Sequence, residues 1–265
     1  MNRLKLSEIW IYPIKSMGGI RLSSAKVMEK GLQYDRRWML VNGENGFMTQ
    51  REYPSMALFK PTLQKTGFSI AHSGSIFFLP FENQLLPQPI KTHVWDDEVT
   101  AYEINKEFSE WFSKRLGLTC KLVQFPEENQ RPVDPSYQIN QENVSLADGY
   151  PFLIIGESSL NDLNGRMTQP IPMNRFRPNL VFTGGTPYEE DNWKFFTIGV
   201  NKFAGVKPCG RCVMPTINQQ TGEKGKEPTA TLANYRKIEN KIYFGQNVIA
   251  INHHEIHEGD EIILR

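Results

Sequence analysis

Apolar and polar side chains alternate with a period of two along much of this chain. That pattern puts the apolar residues on one face of a strand, so it favours sheets over helices from the outset. Leu4, Leu6, Ile9 and Ile11, followed by Tyr12-Pro13, read as an edge or opening strand with one slip in the alternation. RWMLVNGENGFMTQR, residues 37–51, reads as two strands joined at Asn45-Gly46, since Asn-Gly supplies the positive φ that a tight hairpin needs. FSIAHSGSIFFLP, residues 68–80, repeats the design around Ser73-Gly74. Helical spacing is rarer. It places Phe108, Trp111, Phe112 and Leu116 on one face of a helix over 105–116, and Leu160, Leu163 and Met167 on one over 158–167, with a third helix over 229–238.

FPEENQRPVDPSYQINQENVS, residues 125–145, has too few apolar residues to build core and reads as a connecting or active-site loop. The expected fold is mostly β with some α (α+β): a β-barrel-like domain over 1–122, then a second β-barrel domain over 123–265 with a few packed helices. Thirty Lys plus Arg against twenty-nine Asp plus Glu leave a net charge of +1. No overall field therefore recruits nucleic acid or an anionic membrane, and any bound anion must be held by local charge. The N-terminus alternates instead of forming the apolar run of a signal peptide, and the longest apolar runs, such as FLII at 152–155, are far too short to span a bilayer. The expectation is a cytoplasmic protein with no membrane and no nucleic-acid partner.

KPCGRCVMPT, residues 207–216, holds two of the three cysteines, Cys209 and Cys212. An odd number of cysteines makes a complete disulfide framework impossible. A structural zinc site wants four ligands; the remaining thiol, Cys120, is about ninety positions away, and His253, His254 and His257 could in principle complete such a site, though histidines in a polar stretch before a turn are usually solvated. A thioredoxin-type pair needs to open a helix, and CVMPTI, with Pro215, does not. Two readings remain level on spacing alone: a single metal-binding thiolate in the basic setting of Arg211 and Lys207, or a small buried hydrophobe beside a surface arginine.

Three further stretches look like anion holders. Lys15 and Ser16 follow a strand and precede Gly18-Gly19, where an ammonium, a hydroxyl and backbone N–H groups can converge on phosphate. Arg36 and Arg37 precede the first hairpin, and Arg175 and Arg177 precede another strand. The arginine fork suits phosphate.

YPIKS, DRRWMLV, TQRE, SLADGYPFLII, SLNDLNGRM, RFRPNLVFTG, DNWKFFTIG, KPCGRCVMPTINQQTGE and YFGQNVIAINHHEIHEGDEIIL stand in the order and approximate spacing of the MOSC domain family. Over essentially its whole length the chain resembles the YcbX-like and mitochondrial amidoxime-reducing component branch of that family. The resemblance implies an N-terminal β-barrel domain, a MOSC domain, and a molybdenum cofactor whose metal takes one protein cysteine. That ligand falls on Cys212, the second cysteine of the CxRC motif, with Cys209 as a bystander. Cofactor contacts fall on Lys15, Ser16, Arg36 and Arg177, with Gly210 and Arg211 lining the cofactor; Asp148 lies near the metal and joins Cys212 in the catalytic assignment. The chain departs from the family at Pro215-Thr216, where relatives often carry two threonines, and at Arg37, where they are often apolar.

The implied activity is reduction of the N–O bond of small N-hydroxylated compounds. Three cysteines cannot supply a 2Fe–2S cluster. Electrons are therefore expected from an external donor protein of the reductase, ferredoxin or cytochrome type. The alternative is a carrier that passes on molybdenum cofactor or sulfur without turnover.

Overall fold

A computed structural model describes residues 3–265. As the alternation foretells, strands dominate, accompanied by three α-helices: α1 at Lys106–Leu116, α2 at Glu157–Gly165 and α3 at Thr229–Ala233. The largest sheet runs in the spatial order Ile262–Leu264, Phe195–Ile198, Asn201–Arg211, Lys241–Ala250, Phe152–Gly156, Leu180–Thr183, Lys5–Ile11 and Ile20–Leu22, with Lys237–Ile238 paired off this path. Its first and last-but-one strands approach each other through the bridge Lys5–Glu261 and the hydrogen bond from Ile262 N–H to the Leu4 carbonyl. The sheet thus curls into a barrel that its ladders leave open. Within this sheet, among the described residues, only Phe152–Gly156 and Leu180–Thr183 pair in parallel, joined by the crossover helix α2.

A second sheet orders Trp38–Asn42, Cys120–Gln124, Asp97–Glu103 and Pro89–Val94. A meander of Lys60–Gln64, Gly67–His72 and Ser75–Pro80 packs under α1, whose Phe108, Trp111 and Phe112 meet Phe77. Asn105 caps α1 by accepting from Phe108 N–H at 2.9 Å, and Gly117 ends it at φ 70°. No helix among the described residues is long and apolar enough to cross a membrane.

The first strand lies inside the large sheet, between Leu180–Thr183 and Ile20–Leu22, not at its edge. Its slip in alternation is a register shift between Leu6 and Glu8, which returns Leu6, Ile9 and Ile11 to the buried face. The Ser73-Gly74 hairpin forms with φ 46° and 75° at its two turn residues. The first expected hairpin is reduced to its turn. After Trp38–Asn42 the chain comes back antiparallel through the bridge Val41–Phe47, with Asn42 N–H on the Gly46 carbonyl and Met48 N–H on the Leu40 carbonyl, and the strand makes its full ladder on the opposite edge with Cys120–Gln124. The third helix is also shorter than its pattern: it stops at Ala233, and Lys237–Ile238 pair with Lys241–Ile242 instead.

Gly205 sits at a register shift in the long strand Asn201–Arg211 that carries the cysteine motif. A Cβ there would stand 2.1 Å from the Trp193 carbonyl oxygen. Gly205→Ala is expected to destabilise the fold by about 1–3 kcal/mol, the usual range for overpacking, read as a lowered urea midpoint at unchanged m.

Candidate active site

The side chains that the sequence singles out come from segments adjoining strand ends of the two main sheets. Lys15 and Ser16 follow the first strand, Arg36 precedes Trp38–Asn42, Asp148 precedes Phe152–Gly156, Arg177 precedes Leu180–Thr183, and Gly210, Arg211 and Cys212 end the long strand. All eight line one cavity of about 610 Å³. Its walls also carry Arg51, Trp95, Lys207 and Lys241, so seven cationic side chains face it against one carboxylate, Asp148. In a chain of net charge +1 this is a strong local concentration of positive charge.

Three elements of this wall can be distinguished. At its inner end Arg36 and Arg177 lie over the Tyr12 ring, with 4.4 and 4.2 Å from each guanidinium carbon to the ring centre. Asp35, fully buried, accepts from Tyr12 N–H at 2.8 Å and from Arg36 Nη1 at 2.6 Å, while Arg177 Nη1 donates to the Met17 carbonyl at 2.6 Å. Burial pushes Arg177 down to about 10, still protonated at neutral pH. Next, Lys15 Nζ donates to Asp148 Oδ1 at 2.6 Å and to the Leu146 carbonyl at 2.8 Å. Arg51 Nη2 lies 3.2 Å from Asp148 Oδ2 and 3.3 Å from Cys212 Sγ, and its guanidinium stacks 4.4 Å from the Trp95 ring. Finally, Arg211 Nη1 reaches Cys209 Sγ at 3.0 Å and Nη2 donates to the Phe176 carbonyl at 2.8 Å.

The thiol of Cys212 is exposed on this wall; Cys209 is half-buried, and Cys120 is buried away from the site against Ser113. The structure thus separates the two readings that spacing left level: Cys212 is not a buried hydrophobe. Arg51 Nε and Arg211 Nε are buried without a hydrogen-bond partner. Unpaired donors on a cationic wall are suited to a ligand with several acceptor atoms.

The protein packed around Asp148 would raise its carboxyl, although the side chain itself stays 59% exposed, but Lys15 and Arg51, with Arg36 behind them, outweigh this and hold it well below the usual carboxylate range. Burial pushes Lys15 down to about 8 despite Asp148. Its charge is therefore complete at pH 6.5 and lost as pH rises through about 8. Sulfate, whose charge is constant over that range, is expected to bind roughly tenfold more weakly at pH 9.5 than at pH 6.5, the worth of one charge-assisted hydrogen bond. Calorimetric titration checks this, and Lys15→Ala should flatten the profile.

Several expected anion holders lie elsewhere. Gly18 N–H donates to the Phe59 carbonyl at 3.0 Å, and a Cβ at Gly19 would stand 2.5 Å from the Tyr12 ring, so these glycines serve close packing, not an anion. Arg175 is buried, with Nε on the Pro215 carbonyl at 2.6 Å, and Arg37 is buried against Glu127 and the Asp35 carbonyl. Among the described residues no three His, Cys, Asp or Glu side chains gather as a metal site, and His253 and His254 line a separate recess with Lys26 and Tyr34. Arg51, Trp95 and Asp35 were not singled out from the sequence. Arg51 falls within the TQRE stretch and Asp35 opens DRRW, so both had a signal; Trp95, in a turn between Pro89–Val94 and Asp97–Glu103, had none.

Residues 3–119 match the MOSC N-terminal beta barrel domain, and residues 141–263 match the MOSC domain. The mouse (Mus musculus) mitochondrial amidoxime-reducing component 1 is 31% identical over 98% of this chain and 82% of its own length. The chain belongs to the MOSC family. Within that family it is also 31% identical to the molybdenum cofactor sulfurase of rice (Oryza sativa subsp. japonica), over 98% of this chain but only 34% of that protein. This MOSC chain spans about a third of the plant sulfurase's length. The bovine (Bos taurus) mitochondrial amidoxime reducing component 2 is 32% identical over 87% of the chain and 72% of its own length. The cysteine-bearing wall lies wholly within the segment matched to the MOSC domain, whereas Lys15, Arg36, Arg51 and Trp95 reach the cavity from the N-terminal match.

Proposed function

We propose that this cavity holds a molybdenum cofactor with Cys212 as the protein ligand, and that the chain reduces N-hydroxylated compounds with electrons from an external donor protein. The observation that carries the reading is an exposed thiol on the wall of a cavity bearing seven cationic side chains. The likeness to amidoxime-reducing components over most of both chains supports the reaction class. The group fits the residues present: a soft thiolate suits molybdenum, and the cations suit a phosphorylated pterin. Lys15, Ser16, Arg36 and Arg177 would hold its anionic part, while Gly210, open with nothing within 4 Å of a Cβ, and Arg211 would flank it.

When bound, the cofactor supplies a two-electron centre able to take up oxygen from nitrogen. The balanced change is R–NH–OH plus two electrons and two protons to R–NH₂ plus water. The protein's part is to orient and to manage protons. Asp148 stays ionised and joins Lys15 on one oxygen to Arg51 on the other, and Arg51 in turn reaches the Cys212 sulfur. Lys15, at about 8, is the group there that exchanges a proton near neutrality. Asp148 therefore acts on the reaction by holding the proton donor, and Arg51 by holding positive charge at the sulfur.

One observation favours a second reading, a carrier of cofactor or sulfur: the match to a molybdenum cofactor sulfurase over 98% of this chain. Protein loaded in a cofactor-competent host separates the two. Reduction of benzamidoxime with reduced methyl viologen supports the enzyme; cofactor exchange to an apo-acceptor with no turnover supports the carrier.

A further inference from the structure

Lys207 is left over once the cofactor anchors are assigned. Its ammonium lies 4.3 Å from the centre of the Tyr137 ring and lines the cavity. Among the described residues no carboxylate pairs with it. Directly across the ladder stands Asn247, and Tyr150 meets Tyr137 edge to face at 6.0 Å between ring centres. Asn247 and Tyr150 line the same cavity. Burial, with Asp134 and Tyr137 adding to it, raises the Tyr150 phenol, which therefore remains a hydrogen-bond donor. An ammonium, an amide and a phenol, all facing open volume, form the donor set that an oxyanion requires.

The place of this cluster matters as much as its chemistry. Lys207 and Cys212 are five positions apart, at most about 16 Å of extended chain, and one of the strand's register shifts falls between them. Lys15, Arg36 and Arg177, assigned above to the anionic part of the cofactor, are separate residues of the same cavity wall. The aromatic pair comes from the connection before Phe152–Gly156, the same segment that brings the Leu146 carbonyl and Asp148 to Lys15.

We propose that Lys207, Asn247 and Tyr150 form a second anion subsite, which selects N-hydroxylated substrates bearing a carboxylate or phosphate at the end remote from the N–O group. This rests on the reductase reading above and names the substrate class of that same cavity. The subsite gives the distal anion a charge-assisted hydrogen bond that a neutral analogue lacks, worth about tenfold in kcat/KM and expressed mainly in KM.

The test uses molybdenum-loaded protein, reduced methyl viologen and three compounds: 4-phenylbenzamidoxime, its 4′-carboxylate and its 4′-phosphonate. The wild type should favour at least one anionic compound about tenfold over the neutral one, and whichever is favoured identifies the anion. Lys207→Ala should lose most of that preference, Lys207→Arg should keep it, and molybdenum content should match the wild type in both. Equal kcat/KM for all three compounds, or an equal fall for neutral and anionic compounds in Lys207→Ala, overturns the subsite. So does a fall in molybdenum content, which would make Lys207 a cofactor anchor. If no compound is reduced, the reductase reading fails, and the subsite is then read by calorimetric titration of the loaded protein with 4-phenylbenzamide and its 4′-carboxylate. Tighter binding of the carboxylate that depends on Lys207 sustains it, and equal binding removes it.

Discussion

Cys212→Ala is expected to keep the fold and lose the metal. The side chain is exposed, and its contacts are Arg51 Nη2 at 3.3 Å and Met214 N–H at 3.5 Å, so its removal should alter stability by no more than about 0.5 kcal/mol. Loss of a group that merely orients a metal ligand weakens metal binding about 10–100-fold, and loss of the ligand itself should do no less. Molybdenum measured by mass spectrometry is therefore expected to fall at least about tenfold, with N–O reduction falling in step. Cys209→Ala provides the control: its sulfur contacts Arg211, and it should retain metal. Full molybdenum content in Cys212→Ala, or equal loss in both variants, would remove Cys212 as the ligand.

That Cys212 and its basic neighbours share a cavity was partly legible in the sequence, because each lies beside a strand whose alternation is plain. Lys15 follows Leu6, Ile9 and Ile11, and Arg177 precedes Leu180–Thr183. The sequence does not say which strand ends meet. The first strand pairs with Leu180–Thr183, more than 170 positions on, and no local signal sets that register. For the same reason Arg51 and Trp95, which come from connections of a different sheet, could not be placed against Cys212. At Asn45-Gly46 the turn was legible and its extent was not. The positive φ of 65° occurs at Asn45 and the chain returns to one bridge, Val41–Phe47, while the long ladder of Trp38–Asn42 is made on its other edge with the distant Cys120–Gln124.

Backbone strain at the site was equally hidden. Ser16, Arg36, Trp95 and Arg177 have φ values of 66°, 49°, 57° and 58°, in the left-handed region that side-chain-bearing residues seldom adopt. Composition predicts such turns at Gly or Asn, and none of these four is either. Strained residues persist only where their surroundings over-determine them, and here they line the cavity. For Arg36 the restraint can be named: its guanidinium is held by Asp35 at 2.6 Å, by Asn179 Oδ1 at 3.1 Å and by the Arg177 carbonyl at 3.2 Å.

Asp35→Ala should release that restraint with the largest stability effect of any single change near the site. Asp35 is fully buried, and both its carboxylate oxygens are engaged, by Tyr12 N–H and by Arg36 Nη1. Removing one partner of a buried ion pair leaves the other uncompensated and costs about 3–5 kcal/mol, or roughly 10 °C in Tm for a chain of this size. Asp35→Asn separates the two contacts. Its amide oxygen can still accept from Tyr12 N–H, so the stability loss should be about half as large, while Arg36 loses its counter-charge and is free to leave its φ of 49°. If Arg36 is a cofactor anchor, Asp35→Asn should show reduced molybdenum content at temperatures well below its Tm. Calorimetry and metal analysis on the same preparations read both effects: an unchanged Tm in Asp35→Ala would refute the buried pair, and full molybdenum content in Asp35→Asn would refute the role given to Arg36.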